Sequence, residues 1–214
     1  MSRIPFPTPE TMTQDQRSVY EKIIAGPRGT LVGPLRAALH CPELAEHWQS
    51  LGAFLRFRTS LAPRLSELAI LVTARRWNSQ VEWYIHAETA RKAGLAESII
   101  EAIRNGRSPE FEDPNEFAIY EYARELQSSG QVLEATYEKV LAQLNTAGIV
   151  ELTALIGYYT MVSMTLNAHE IPLPDGAKAP LLPAGLSASG GSEGHGELTV
   201  LAPARIRNAM THAK

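Results

Sequence analysis

The feature that most constrains this chain is a succession of amphipathic segments with helical spacing, which glycine, proline or asparagine repeatedly interrupts. In the first segment, Thr13 and Gln16 have the spacing of a capping box, and apolar residues recur at helical intervals as far as Gly26-Pro27. Alternating β-branched runs joined by hairpin turns are missing from the sequence. The pattern therefore predicts an all-α, multi-helical fold.

Breaks between these segments place the helices along the chain. Asp113-Pro114-Asn115-Glu116 combines an N-cap, a first-position proline and a capping-box glutamate, and Gly94 suits the left-handed position after a helix. Helices are predicted near 13–25, in a short segment ending at Cys41-Pro42, and near 44–57, 64–77, 80–92, 95–105, 114–128, 134–145 and 149–168.

Length and composition predict one domain with extensions. The 214 residues exceed a typical domain of about 150 residues, which leaves room for an appendage but not for a second catalytic domain. We expect a Pro-rich N-terminal extension (1–12), a helical domain (13–176), and a flexible linker and tail (177–214) with a Gly/Ser-rich stretch at 186–196. The last segment, 197–214, either docks on the body or on a neighbouring subunit, or is disordered.

Charge and cysteine content exclude several classes of function. The 20 basic and 23 acidic residues give a net charge of -3, so no general attraction to nucleic acid or to anionic membranes is expected. Cys41 is the only cysteine, which excludes an intrachain disulfide, a thiolate zinc cage and a dithiol redox centre within one chain. The N-terminus lacks the form of a secretory signal, so we expect a cytoplasmic protein, and the uncharged run 152–168 is predicted to be a core helix.

Ser79, Glu82 and His86 are the main candidates for chemistry. Glu82 and His86 are four residues apart and share a helix face, so they can form an acid–base pair. A carboxylate beside an imidazole favours its charged form and fixes its orientation, as a general acid or base requires. Glu67 lies on the preceding predicted helix, where a return connection can bring it to the same cleft.

Each of these residues also has an ordinary structural interpretation. Ser79 and Glu82 have the spacing of a capping box, and His86 and Trp83 are of types often found in a core. A metal site is a further alternative, but no third ligand stands at a diagnostic spacing, so we expect no metal. The loop Gly26-Pro27-Arg28-Gly29-Thr30 lacks the ending of a phosphate cradle, and no cofactor is implied. Four arginines are unranked candidates for binding a substrate carboxylate: Arg56, Arg58, Arg75 and Arg76.

These candidates belong to a longer pattern that runs from Arg64 through Glu67 to Leu71 and continues with Asn78-Ser-Gln-Val-Glu82-Trp83-Tyr-Ile-His86 and Gly94. The pattern resembles the carboxymuconolactone decarboxylase family of the alkyl hydroperoxidase D-like superfamily. The resemblance extends over about 13–176. In the peroxidase branch the redox centre is Cys-x-x-Cys followed by His, and both cysteine positions here hold other residues, Ser79 and Glu82. The resemblance therefore implies that dithiol peroxidase activity is absent.

The decarboxylase-like branch implies cofactor-free loss of CO₂, or an isomerisation, on a small carboxylated unsaturated lactone or related ring compound of aromatic catabolism. His86 would be the acid–base, Glu82 and Glu67 would orient it or relay protons, and Trp83 and Ser79 would contact the substrate. The resemblance also implies a homo-oligomer, a trimer or a hexamer. A non-redox ligand-binding or structural oligomer that keeps the fold remains the alternative, because a fold alone does not establish an activity.

Overall fold

The computed structural model describes residues 2–174, 176–182 and 199–207, and nearly all of its regular secondary structure is helical. Its helices are α1 (Gln14–Ala25), α2 (Leu35–Ala38), α3 (Pro42–Phe57), α4 (Pro63–Arg76), α5 (Gln80–Lys92), α6 (Glu97–Arg104), α7 (Pro114–Ser129) and α8 (Glu134–Ala168). Two strands of two residues each, β1 (Glu110–Phe111) and β2 (Arg205–Ile206), pair in parallel. The predicted all-α class is confirmed.

Local capping explains where several of these helices begin and end. Thr13 and Gln16 form the reciprocal capping box at the start of α1. Asp113 caps α7 by accepting a hydrogen bond from the Asn115 backbone N–H. The predicted capping-box role of Glu116 is wrong, because its carboxylate instead lies 2.9 Å from the Arg64 guanidinium on α4.

Helix α4 is the centre of the molecule and packs against α5, α7 and α8. Most of its residues are buried, because apolar and small side chains cover nearly its whole circumference. Leu68, Ala69, Leu71 and Val72 have no measurable exposure. The central helix therefore holds any side chain that it carries in a rigid, water-poor environment.

Helix α8 consists of two helical segments that meet at Asn145, where the backbone has φ +59°. The Asn145 side chain accepts hydrogen bonds from the Ala147 and Gly148 backbone N–H groups and so caps the second segment. The break agrees with the prediction of separate helices near 134–145 and 149–168. By length and composition alone, α8 is also apolar enough to cross a membrane. In the fold its second segment packs against α3, α4 and α7, as a core helix does.

Segments at both ends of the described part of the chain contact the helical body. The Arg3 backbone N–H donates to the carbonyl of His169 just after α8. Near the C-terminus, the Thr199 N–H donates to the Arg76 carbonyl, and the buried Tyr120 hydroxyl donates to the Ala202 carbonyl at 2.6 Å. Residues 199–207 thus take the docked alternative, whereas the Gly/Ser-rich stretch 186–196 lies outside the described residues.

Candidate active site

The candidate site is built on the hairpin of α4 and α5. Asn78 in the connecting turn has φ +48°, a left-handed conformation that asparagine tolerates better than most residues, and the Ser79 N–H donates to the Ala74 carbonyl. The chain reverses within these few residues and lays α5 back along α4. This return connection brings Glu67 on α4 beside Glu82 and His86 on α5.

His86 lies between the two glutamates, with one carboxylate at each ring nitrogen. Its Nδ1 is 2.7 Å from Glu67 Oε2, and its Nε2 is 3.3 Å from Glu82 Oε2. All three side chains are buried, with residue exposures of 6% for Glu67, 4% for Glu82 and 2% for His86. Tyr159 on α8 closes the group, and its ring meets the imidazole edge-on at a centroid distance of 4.9 Å. The sequence-predicted carboxylate–imidazole–carboxylate group is therefore assembled in the fold.

Glu82 differs from Glu67 in its hydrogen bonding. Its Oε2 atom is buried and has no hydrogen-bond partner of good geometry, because the approach of His86 Nε2 satisfies only the distance expected of an ion pair. Burial raises the pKa of Glu82, and the charges of His86, Arg56 and Arg28 oppose that rise only in part. Glu82 therefore keeps a proton to higher pH than an ordinary glutamate does.

The capping-box interpretation of Ser79 and Glu82 does not hold in the fold. Ser79 occupies the N-cap position of α5, but its side chain makes no capping hydrogen bond, and its buried Oγ has no partner among the described residues. Glu82 points toward His86 instead of back to the helix start. The contact of Glu82 with His86, one turn along the same helix, thus replaces the cap that the local pattern predicts.

A cavity of about 820 Å³ lies next to this group. Its lining comes from the N-terminal extension, the α1–α2 loop, α2, α3, α5 and the segment after α8: Phe6, Pro27, Arg28, Thr30, Leu31, Val32, Gly33, Arg36, Arg56, Phe57, Val81, Ile85, Ile171, Pro172, Leu173 and Pro174. Val81 and Ile85 are the residues of α5 that immediately precede Glu82 and His86. Arg28 and Arg56, whose charges act on Glu82, belong to the same lining. The cavity therefore shares Arg28 and Arg56 with the electrostatic environment of Glu82, although Glu67, Glu82 and His86 are not themselves among its lining residues.

Tyr158 and Gly52 hold Arg28 in this wall. The Tyr158 hydroxyl lies 3.5 Å from Arg28 Nη2, and both groups pack directly over Gly52 on α3. A Cβ atom at position 52 would overlap the Tyr158 hydroxyl and the Arg28 guanidinium. Burial raises the pKa of Tyr158, so this hydroxyl stays neutral and can donate a hydrogen bond.

The other sequence candidates lie elsewhere. Trp83 is buried and lines a second cavity of about 600 Å³, which shares Ile85 with the first cavity but contains none of its arginines. Of the four arginine candidates, only Arg56 belongs to the cavity beside Glu82, while Arg58 lies over the Phe54 ring. Arg75 donates to the Asn78 side chain, and Arg76 donates to the Thr199 carbonyl.

Sequence reasoning missed Arg28, Tyr158, Tyr159 and Gly52 as parts of the site. The tyrosines lie in the run 152–168, which the sequence predicts only as a core helix. Arg28 lies in a Gly/Pro loop with no motif of its own.

The positions of the Glu67, Glu82 and His86 side chains also determine whether they can bind one metal ion together. Because Glu67 and Glu82 contact opposite nitrogens of one imidazole, their oxygens do not converge on a common point. Over the ranges 2–174, 176–182 and 199–207, no group of three or more His, Cys, Asp or Glu side chains is arranged to hold a metal. The geometry is suited to proton transfer along a line of groups.

Comparison with known proteins shows similarity in structure but not in sequence. No family model matches the sequence, and no curated protein is similar to it. Among solved structures, an uncharacterised peroxidase-related protein with an alkylhydroperoxidase AhpD core, from Ralstonia eutropha JMP134, superposes with a TM-score of 0.66 at 16% identity, covering 81% of this chain and 93% of that one. An uncharacterised peroxidase-related protein from Silicibacter sp. TM1040 has a TM-score of 0.66 at 14% identity, covering 81% and 92%.

A protein of unknown function from Agrobacterium tumefaciens, described as a putative antioxidant defence protein AhpD, has a TM-score of 0.54 at 18% identity, covering 64% of this chain and 95% of that one. Identities this low establish a shared fold and no shared activity. The chain therefore has the all-α alkyl hydroperoxidase D-like fold.

Proposed function

We propose that this protein is a cofactor-free acid–base enzyme, a decarboxylase or isomerase acting on a carboxylated unsaturated lactone or a related ring compound. The observation that supports it is the buried line Glu67–His86–Glu82, in which a carboxylate contacts each imidazole nitrogen. A histidine paired on both sides can pass a proton from one nitrogen to the other. Such a line supplies and removes protons at one end without any metal or redox group.

In this proposal Glu82 exchanges the proton with the substrate once side chains of the cavity wall move to give it access, and His86 and Glu67 act behind it. Glu82 is the member whose electrostatic environment includes Arg28 and Arg56 of the cavity. Its raised pKa suits a carboxyl that must hold a proton and then release it. His86 restores that proton, and Glu67 fixes the imidazole orientation through the 2.7 Å contact.

The decarboxylation balances with these groups. The substrate C–CO₂ bond breaks, its electron pair moves toward the lactone carbonyl, and the resulting carbanion equivalent takes a proton from Glu82 at carbon. CO₂ leaves, Glu82 regains a proton from His86, and His86 takes a replacement from solvent, so each turnover consumes one solvent proton. Arg28 and Arg56 of the cavity lining can stabilise the negative charge that moves toward the lactone carbonyl. An isomerisation uses the same groups, with a proton removed from one carbon and returned to another.

A dithiol peroxidase is not supported, although two of the structural neighbours are named as peroxidase-related. That chemistry needs two thiols that form a disulfide, and this chain has one cysteine, Cys41. Cys41 precedes α3 and is exposed, whereas the buried acid–base group lies on α4 and α5. Ser79 and Glu82 stand where the resemblance implies the redox cysteines.

The alternative function is a ligand-binding protein that retains the fold without catalysis. The near-complete burial of His86 is the specific observation that favours this alternative, since a buried histidine that is hydrogen-bonded to a carboxylate also stabilises a core. The two functions predict different effects of substitutions in the line. In a binding protein these substitutions lower only the stability, because the parent protein has no turnover to lose.

The experiment is a spectroscopic assay of carboxymuconolactone and related unsaturated lactones, with CO₂ release measured in parallel. His86→Ala and Glu82→Gln should abolish turnover in protein that circular dichroism shows to be folded. Glu88→Gln is the matched control, since Glu88 lies on the same helix but is exposed. If no lactone is consumed and His86→Ala loses only stability, the catalytic proposal is rejected in favour of the binding protein.

We also propose that the chain forms a homo-oligomer. Large apolar side chains remain exposed on α3 and α8: Leu44, Leu51, Phe57, Tyr137, Val150 and Met164. Surfaces of this kind are typical of protein interfaces. Light scattering coupled to size exclusion should give the mass of a trimer or hexamer, and a monomer mass at micromolar concentration would contradict the proposal.

A further inference from the structure

The cavity beside Glu82 carries three arginines and no carboxylate in its lining. Arg28, Arg36 and Arg56 come from the α1–α2 loop, α2 and α3 respectively, so they approach the space from three different segments. Within the described part of the chain, none of the three forms a salt bridge, although many other arginines there do. Three guanidinium groups around one cavity therefore retain hydrogen-bond donors for a ligand.

Arg28 provides the most specific sign of an absent partner. Its Nε atom is buried and has no hydrogen-bond partner among the described residues, and Tyr158 and Gly52 fix the position of the rest of the group. A buried donor without an acceptor costs free energy unless something else satisfies it. A carboxylate matches the planar fork of a guanidinium and would satisfy it.

The remainder of the lining is apolar and spacious. Leu31, Val32, Ile171 and Leu173 line it together with the Phe6 ring, over which Arg36 lies at 3.7 Å. The volume of about 820 Å³ falls in the range of sites that hold drug-sized ligands, roughly 300–1,000 Å³. A single-ring lactone would leave most of this apolar surface in contact with water.

We infer that the cavity binds an amphipathic carboxylate larger than one ring, with its anionic group at Arg28 and Arg56 and its apolar body against the segment after α8. The inference rests on the proposed function in one respect, which is the end of the ligand that reacts. In that function the carboxylate end reacts, because Arg28 and Arg56 hold it on the side of Glu82. It narrows the substrate class from small ring acids to acids with an extended aryl or alkyl body. Arg36 and Phe6, which stack on each other in the lining, contact that body in this proposal.

The test is equilibrium binding by titration calorimetry with three compounds. Biphenyl-4-carboxylate should bind about tenfold or more tightly than benzoate, which lacks the second ring, and than biphenyl-4-carboxamide, which lacks the charge. Equal affinity for the acid and the amide, or for one ring and two, would overturn the inference. Absence of binding by all three compounds would overturn it as well.

Variants locate the binding. Arg28→Gln and Arg56→Gln should each weaken biphenyl-4-carboxylate about tenfold, whereas Arg58→Gln, outside the cavity, should change it by less than about twofold. Leu173→Glu, which adds a negative charge to a half-exposed position of the lining, should weaken binding without disturbing a core residue. If Arg28→Gln and Leu173→Glu both bind biphenyl-4-carboxylate as tightly as the parent, the inference is overturned. If one of the two variants does not fold, unchanged affinity in the other is enough to overturn it.

The proposed enzymatic function and the inferred ligand class can be rejected independently of each other. His86→Ala should still bind biphenyl-4-carboxylate with affinity within about twofold of the parent, since His86 is not part of the lining. Binding without turnover of any acid rejects the enzyme and keeps the ligand class. Turnover of single-ring lactones with no preference for larger acids rejects the ligand class and keeps the enzyme.

Discussion

Glu67 Oε2 lies 2.7 Å from His86 Nδ1, although the two residues are 19 positions apart on different helices. The contact exists because the short turn after α4 reverses the chain. A carboxylate held this close fixes which face and which nitrogen of the imidazole are presented to Glu82 on the other side. Glu67 is therefore a positioning residue for the proposed proton line.

Glu67→Gln should reduce kcat by roughly 10²-fold while leaving KM nearly unchanged. The amide can still accept a hydrogen bond at Nδ1, but it lacks the charge that stabilises a protonated imidazole. Steady-state kinetics on the lactone found in the screen measures the effect. A rise in KM with unchanged kcat would show that Glu67 acts on binding instead.

Glu67→Ala should be far more damaging to the fold than Glu67→Gln. Removing one member of a buried hydrogen-bonded pair costs about 1–3 kcal/mol of the free energy of unfolding, because the partner is left unsatisfied. Urea unfolding of both variants measures the difference. Equal stability of the two variants would mean that the contact with His86 contributes little.

The raised pKa of Glu82 predicts a pH dependence of stability. A carboxyl whose pKa is higher in the folded protein stabilises the fold fully below the ordinary value of 4.5, and that contribution is lost as pH rises through the folded-state pKa. The free energy of unfolding of the parent, relative to Glu82→Gln, should therefore fall as pH rises from about 4 to about 8. Parallel curves for the two proteins would contradict the raised pKa.

Gly52→Ala should destabilise the protein by about 1–3 kcal/mol and weaken carboxylate binding. The added Cβ overlaps the Tyr158 hydroxyl and the Arg28 guanidinium, so at least one of them must leave its place. Thermal unfolding and calorimetry measure the two effects. Gly157→Ala is the matched helical control, because no atom lies within 4 Å of the added Cβ, and it should be neutral or stabilising.

Tyr120→Phe tests the docking of residues 199–207. The substitution removes the 2.6 Å hydrogen bond to the Ala202 carbonyl and should cost about 1 kcal/mol of the free energy of unfolding. The Ala204 N–H, which donates to Glu121, should at the same time exchange faster with deuterated solvent. Unchanged exchange at Ala204 would mean that this tail segment is held by its other contacts alone.

The helices and part of the site can be predicted from the sequence because they depend on local spacing. Thr13 caps α1 as its motif predicts, and the i, i+4 spacing of Glu82 and His86 places them on one face of α5. Ser79 and Glu116 show where local reasoning fails. Glu82 instead faces His86 one turn along the same helix, and Glu116 pairs with Arg64 on another helix, so neither carboxylate makes the contact that a capping box would use.

The cavity could not be predicted for a different reason. Phe6, Arg28 and Leu173 are far apart in the chain and lie in segments without periodicity, so only the packed fold brings them together. Gly52 and Tyr158 are likewise joined by the contact of α3 with α8. Contacts between loop residues that are distant in the chain produce no periodic pattern in the sequence. The arginine-lined cavity is therefore visible only in the folded structure.

The most direct test of the central claim is proton exchange at carbon. Proton NMR of carboxylated unsaturated lactones and larger aryl acids, incubated with the protein in deuterated water, detects both decarboxylation and isomerisation through deuterium at carbon. The proposed proton line predicts incorporation by the parent and by Glu88→Gln, and none above background in His86→Ala or Glu82→Gln. No incorporation by the parent, or equal incorporation by His86→Ala, would contradict it.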